Sequence, residues 1–366
     1  MAIHIGLLIF ICILGAGYSL HGVTRKKNIR FLCISLTSIF VIQSIRGHYV
    51  GIDTITYINS YLKINTFSTC WEKQNWEKGY ILLNQIVGKL TSNNPQCLLA
   101  CVSLIILTGF GYFIIMNIKD NTTAFWAVFL FMTLNHYLTS MVSLRQYCAM
   151  AIGCNTYTVL KKDVSITGFM KAVGLLVLAL FFHSSAFVCL IFILSFLVKK
   201  IDKKFILLTA IASGYIYFNF YHILETAFGI FTRYYIYSIS GHEKFSGMEF
   251  GNTYWIFLIG KILIMFLIFR LDPREEENKE LYRLLLFSLI GITVSIMTTR
   301  VALVWRFGYY FDFFLILLIP ETIRRVKKYK LLLNFIVFIA GWSYYFYLLY
   351  TNGAQCVPYY TFWQTL

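Results

Sequence analysis

Arg46, Asp53, Glu77, Arg145, His183, Arg233, Arg300 and Arg306 are charged or titratable side chains set in a chain that is 58% hydrophobic and only 13% charged. A guanidinium takes phosphate oxygens two at a time and keeps its charge when partly desolvated. A carboxylate or an imidazole can take the proton of a hydroxyl. Several arginines with a carboxylate and an imidazole suit a lipid-borne diphosphate, whose departure from a sugar leaves negative charge that Arg stabilises without a metal. Arg46, Arg145, Arg233, Arg300, Arg306 and Tyr57 are the candidates for holding diphosphate and sugar. Asp53, Glu77 and His183 are the candidates for catalysis. Each also has a plainer role. An Arg at a helix end snorkels, Asp53 before Thr54 caps a helix, and a lone His is commonly a hydrogen-bonded structural residue. Asp312, inside an apolar segment with Arg306 six residues before it, calls for an ion pair.

The elements that position these groups follow from composition. Mean hydropathy is +0.69, and apolar runs near the roughly 20 residues needed to cross a bilayer recur along all 366 positions. The fold class read from this is an all-α polytopic membrane protein, a single integral domain over 1–366. About twelve transmembrane helices are expected, near 2–20, 31–45, 97–118, 124–142, 146–160, 167–182, 184–198, 205–222, 252–269, 284–299, 301–320 and 331–350. Residues 46–96 and 223–251 are expected as extracytoplasmic loops. The first run lacks a basic flank and a small-residue cleavage site, and so reads as a retained helix. The net charge of +16 lies in short Lys/Arg clusters between apolar runs, which marks topology and not nucleic-acid binding. Placing Arg25–Lys27, Lys161–Lys162, Lys199–Lys200 and Arg324–Lys330 inside sets both termini outside. Residues 164–198 have basic ends and one polar break, His183-Ser184-Ser185, so two short helices should meet there with His183 at the outer face. The nine cysteines show no metal-ligand spacing, so no metal is expected. Cys70 and Cys356 fall on the outer side, but sequence does not show that they meet.

The order of the polar pieces resembles the EpsG family of bacterial polysaccharide proteins, which includes Wzy-type O-antigen and capsule repeat-unit polymerases. The resemblance rests on Arg46-x4-Gly51-x-Asp53-x3-Tyr57, Glu77-x-Gly79-Tyr80, Ser143-Leu-Arg145-Gln146 and Phe182-His183-Ser184-Ser185-Ala186. Arg300, Arg306-Phe-x2-Tyr309 and Val357-Pro358-Tyr359 continue it. It departs at Lys78, where the family often has Pro after the Glu. The resemblance implies a metal-independent, cofactor-free glycosyltransferase akin to class C glycosyltransferases and O-antigen ligases. It would sit in the bacterial inner membrane with its site facing the periplasm. Its partners would be an undecaprenyl-diphosphate-linked oligosaccharide, bilayer lipids, and a chain-length regulator and flippase of the same pathway.

Two other classes stay open. A flippase also binds diphosphate through Arg, but alternating access needs charges along the depth of a central cavity, whereas these gather toward one face. A membrane acyltransferase uses an intramembrane His with a cytoplasmic thioester. The base is open among Asp53, Glu77 and His183. An unperturbed pKa near 6.5 and a place at a helix break favour His183. A carboxylate beside Arg46 stays charged, which suits Asp53 to orienting.

Overall fold

The computed structural model describes residues 1–19, 22–66, 76–119, 124–219, 222, 252–270, 275–299, 304–326 and 328–364. Among them every regular element is helical. They gather into two compact units, residues 1–196 with 329–366, and residues 197–328.

The first unit opens with α1 (Ala2–Ser19), α2 (Arg25–Ser44), α3 (Thr54–Thr66), α4 (Lys78–Leu90) and α5 (Pro95–Asn117). It continues through α6 (Phe125–Thr133), α7 (His136–Val142), α8 (Leu144–Gly153), α9 (Asn155–Lys162) and α10 (Ile166–Phe182). A 3-10 turn (Ser184–Val188) then leads into α11 (Cys189–Leu194). The starts carry their chemistry in the sequence. Thr24 accepts from Lys27 N, Ser165 accepts from Gly168 N, and Asn94 caps α5 with Pro95 just inside it.

The second unit holds α12 (Lys203–Phe218), capped by Asp202, with α13 (Asn252–Arg270), α14 (Glu275–Thr298), α15 (Trp305–Asp312) and α16 (Leu315–Arg325). Here α14 packs against the other four. The last helix, α17 (Lys330–Thr351), returns to the first unit and packs on α6.

Among the described residues four helices are long and apolar enough to cross a membrane: Ala2–Ser19, Pro95–Asn117, Lys279–Thr298 and Lys330–Thr351. A fifth follows if α6 and α7 count as one span, bent by 56°. The protein is thus a helical membrane protein, but several of the twelve expected segments are shorter or broken. The segment 124–142 breaks at Asn135, which sits in the left-handed region at φ +71°, where Asn is tolerated. The segment 146–160 is divided at Cys154 into α8 and α9. The segment 301–320 is interrupted at Phe313 and Phe314, between α15 and α16. A hydropathy profile averaged over about twenty residues does not register such breaks, because a single Asn, Cys or Phe pair hardly changes the average. The expected loop 46–96 contains α3 and α4, whose buried Tyr57, Tyr61, Tyr80 and Ile81 make it part of the packed unit. The expected loop 223–251 lies outside the described residues.

Candidate active site

The sequence places Arg46 just past the end of α2, and its side chain is fully buried. Its Nη1 donates to Gln43 O at 2.6 Å and its Nη2 to Met141 O at 3.2 Å. Both carbonyls lie in the last turns of helices, α2 and α7, where backbone oxygens have no partner within the helix. A cation there also meets the negative end of each helix dipole. The other groups that act on Arg46 electrostatically include Cys356 and Tyr359. Burial pushes the Cys356 thiol and the Tyr359 phenol each up to about 12, so neither is an anion at neutral pH. The guanidinium is therefore compensated by two helix ends.

The backbone that follows is held from two sides. Gln96 Nε2 donates to Arg46 O at 3.2 Å and also to Ser44 O. The C-terminal tail lies along the other side. Gly47 N donates to Tyr360 O, Phe362 N to Ile45 O, Gly51 N to Gln355 O and Ile52 N to Ala354 O, all within 3.0 Å. Gly51 has φ +98°, a region that a side chain rarely enters, and a Cβ there would also press on Thr54 Oγ1 and Met141 O. His48, half-buried in this loop, titrates below 6.5 because burial disfavours its charged form. Asp53 is exposed at the head of α3. Arg46 and Asp53 were expected side by side. Instead Arg46 faces inward to carbonyls, and among the described residues no ion pair joins the two.

The second cluster joins three separate stretches. Glu77 stands at the start of α4, Arg145 is the second residue of α8, and His183 links α10 to the 3-10 turn. Arg145 Nη1 donates to Glu77 Oε2 at 2.5 Å, and Ser184 N donates to Glu77 Oε1 at 2.9 Å. The guanidinium carbon of Arg145 stands 4.9 Å from the centroid of the Trp76 ring. That ring in turn packs against Tyr57 at 5.4 Å and Tyr80 at 5.5 Å. Gly79 lets α4 approach α10, since a Cβ there would fall 2.7 Å from Phe181 O. The expected meeting of two short helices at His183-Ser184-Ser185 is present. The ring of His183 is not open to the surface, however; the residue is 8% exposed. Its Nδ1 accepts from Ser185 N at 3.1 Å and lies 2.7 Å from Ser185 Oγ. An Nδ1 that accepts a backbone N–H leaves the ring hydrogen of the neutral form on Nε2.

Not every candidate joins these clusters. Arg233, Arg300 and Cys70 lie outside the described residues. Arg306, on α15 of the second unit, is exposed with its guanidinium carbon 5.8 Å from the Trp305 ring centroid. Asp312 does form the ion pair expected of it, but with Lys261 at 2.6 Å, and Ser295 Oγ stands 3.4 Å from the same ammonium. Spacing favoured Arg306 because it is near in sequence, whereas the two helices bring Lys261 to Asp312. Three contacts of the candidate residues do not follow from the sequence: the Trp76 face, the Ser184 N–H and the tail. For Trp76 a signal existed, in an aromatic directly preceding the candidate carboxylate.

Neither the curated proteins nor the solved structures offer a match to this chain. Its motifs do have a family counterpart, and with Arg145, Glu77 and the His183 turn brought together the likeness acquires a physical centre. The chain matches the EpsG family over residues 29–361, nearly its whole length, and belongs to that family, the Wzy-type polymerases of polysaccharide biosynthesis.

Proposed function

We propose that this protein is a repeat-unit polymerase that transfers a glycan from a polyprenyl diphosphate to a lipid-linked repeat unit at the outer face of the inner membrane. On this reading the chain makes about twelve crossings with both termini outside, and the product is O-antigen or capsule. The observation that carries the reading is the state of Arg145. One edge of its guanidinium rests on Glu77, while its buried Nε–H has no hydrogen-bond partner among the described residues. A buried donor left unmade costs about 1–3 kcal/mol, and the side chain as a whole is 17% exposed, which leaves part of the guanidinium open to a diphosphate oxygen.

The reaction joins an acceptor hydroxyl oxygen to the anomeric carbon of the donor sugar. The bond from that carbon to the diphosphate breaks, its electron pair stays on the leaving phosphate oxygen, and Arg145 stabilises the charge. The hydroxyl proton passes to a base. We assign that base to Asp53, which is exposed one helical turn before Tyr57, whose ring packs on Trp76. His183 is given the turn instead, because its Nδ1 is engaged with the Ser185 backbone. Arg300 and Arg306 remain assigned to the diphosphate and sugar through the family resemblance, and Arg233 through its residue type alone; Arg46, turned inward to two carbonyls, is given a structural role.

The surface-glycan banding pattern of a deletion strain tests this function. A single repeat unit on the lipid core supports a polymerase. Loss of all surface glycan, with repeat units retained inside, would instead indicate a flippase.

A further inference from the structure

We infer that Glu77 is a positioning residue that fixes the Arg145 guanidinium against the Trp76 face and ties it to the His183–Ser185 turn. This rests on the reading of Arg145 as the group that meets the diphosphate. Glu77 is well placed in sequence to be a base, yet both its oxygens are occupied. Oε2 accepts from Arg145 and Oε1 from Ser184 N. One carboxylate thereby connects the start of α4 to the start of α8, 68 residues on, and to the start of the 3-10 turn, 107 residues on. The side chains of Arg145 and Glu77 are 17% and 20% exposed, so the pair is partly shielded from water and worth more than a surface pair.

The Trp76 ring covers one plane of the guanidinium and the carboxylate holds one edge. An arginine held at a plane and an edge points with little rotational freedom, and such preorganisation is what a transition-state charge requires. A Lys offers no plane and no fork, so the arrangement is specific to Arg.

Glu77→Gln keeps the shape and an acceptor for Ser184 N–H but weakens the hold on Arg145. The assay uses purified full-length protein in lipid vesicles with a synthetic polyprenyl-diphosphate repeat unit as donor and acceptor. Turnover should fall about tenfold or more, with acceptor KM changed less than about threefold and the acid limb of the pH–rate profile retained. Loss of that acid limb would mean that Glu77 itself takes the proton, and a wild-type rate would mean that it positions nothing; either result overturns the inference.

Should Glu77→Gln fail to fold, Ser184→Pro removes only the N–H that Glu77 accepts. Pro is tolerated at the first position of a helix, and His183 before it has φ −160° and ψ 132°, the extended region that precedes proline. Ser184→Pro should also lower turnover without moving the acid limb, and an unchanged rate would overturn the role. No elongation by wild-type protein would remove the polymerase reading and this role together. Elongation by wild type with unaltered variants would remove this role alone.

Discussion

At the scale of single residues, Arg46 and His183 owe their positions to backbone groups at helix ends, which lack a partner within their own helix. Arg46 serves carbonyls at the ends of α2 and α7. Lys has one ammonium and no fork, so Arg46→Lys should lose one of the two buried hydrogen bonds and about 1–3 kcal/mol. Thermal unfolding in detergent would show this as a lower midpoint, with activity falling only as the folded fraction falls. Lost turnover at an unchanged midpoint would instead place Arg46 at the diphosphate. His183 accepts from Ser185 N as a capping residue does. Asn presents an acceptor at similar reach, so His183→Asn should keep the wild-type midpoint, while His183→Ala should lose about 1 kcal/mol. Full-length polymer made by the Asn variant would fit Asp53 as the base. A stable Asn variant without chain growth would return the proton to His183.

At the scale of elements, close approach does as much as side-chain chemistry. Glu77 is carried on α4, and α4 sits where it does because Gly79 admits the backbone of Phe181. A Cβ at 79 would stand 2.7 Å from Phe181 O and 2.8 Å from Phe181 Cβ. Neither is the end of a flexible chain, so the helices must separate. Gly79→Ala should cost about 1–3 kcal/mol by overpacking and should lower turnover beyond that loss, since it moves Glu77 relative to Ser184. A thermal melt and a rate measured on the same preparation would separate the two effects. In the second unit, Lys261 and Asp312 bind α13 to α15, and Lys261 is only 2% exposed. Lys261→Met alone should cost about 3–5 kcal/mol because it strands a carboxylate, whereas Lys261→Met with Asp312→Leu should be close to neutral. Equal losses in the single and double variants would refute the pairing argument.

At the scale of the whole molecule, the membrane sets the frame. The 17 residues of α10 rise ~26 Å, close to the thickness of a hydrocarbon core. Lys162 precedes this helix and Ser184 follows it, so the two should face opposite sides, with the basic end inside. In a variant otherwise lacking cysteine, Lys162→Cys should be labelled from the cytoplasm and Ser184→Cys from outside. Labelling of both from the same side would end the paired-helix topology. The C-terminal tail adds a constraint that no single helix supplies, because residues 354–362 hydrogen-bond to the loop after α2. The first and last parts of the sequence are thereby closed onto one unit.

What the sequence determined by itself was the class and the parts. Apolar runs of bilayer length fix a helical membrane protein, and short basic clusters fix an expected sidedness. The order of Arg46, Gly51, Glu77, Arg145 and His183 was enough to resemble the family to which the chain belongs. It also carried the turn at His183-Ser184-Ser185, because one polar triplet between two basic ends has few other uses. Tertiary structure alone decided what each part touches. Arg46 and Asp53 are seven residues apart and look like a pair, yet the chain turns at Gly51 and sends one inward and the other out. Glu77 and Arg145 are 68 residues apart and look unrelated, yet α4 and α8 make them an ion pair. Hydropathy and spacing report only what each residue costs to bury and which neighbours share its helix. Which distant donor meets which acceptor depends on the packing of helices, where a missing Cβ at Gly79 or a helix-end carbonyl at Met141 selects the partner.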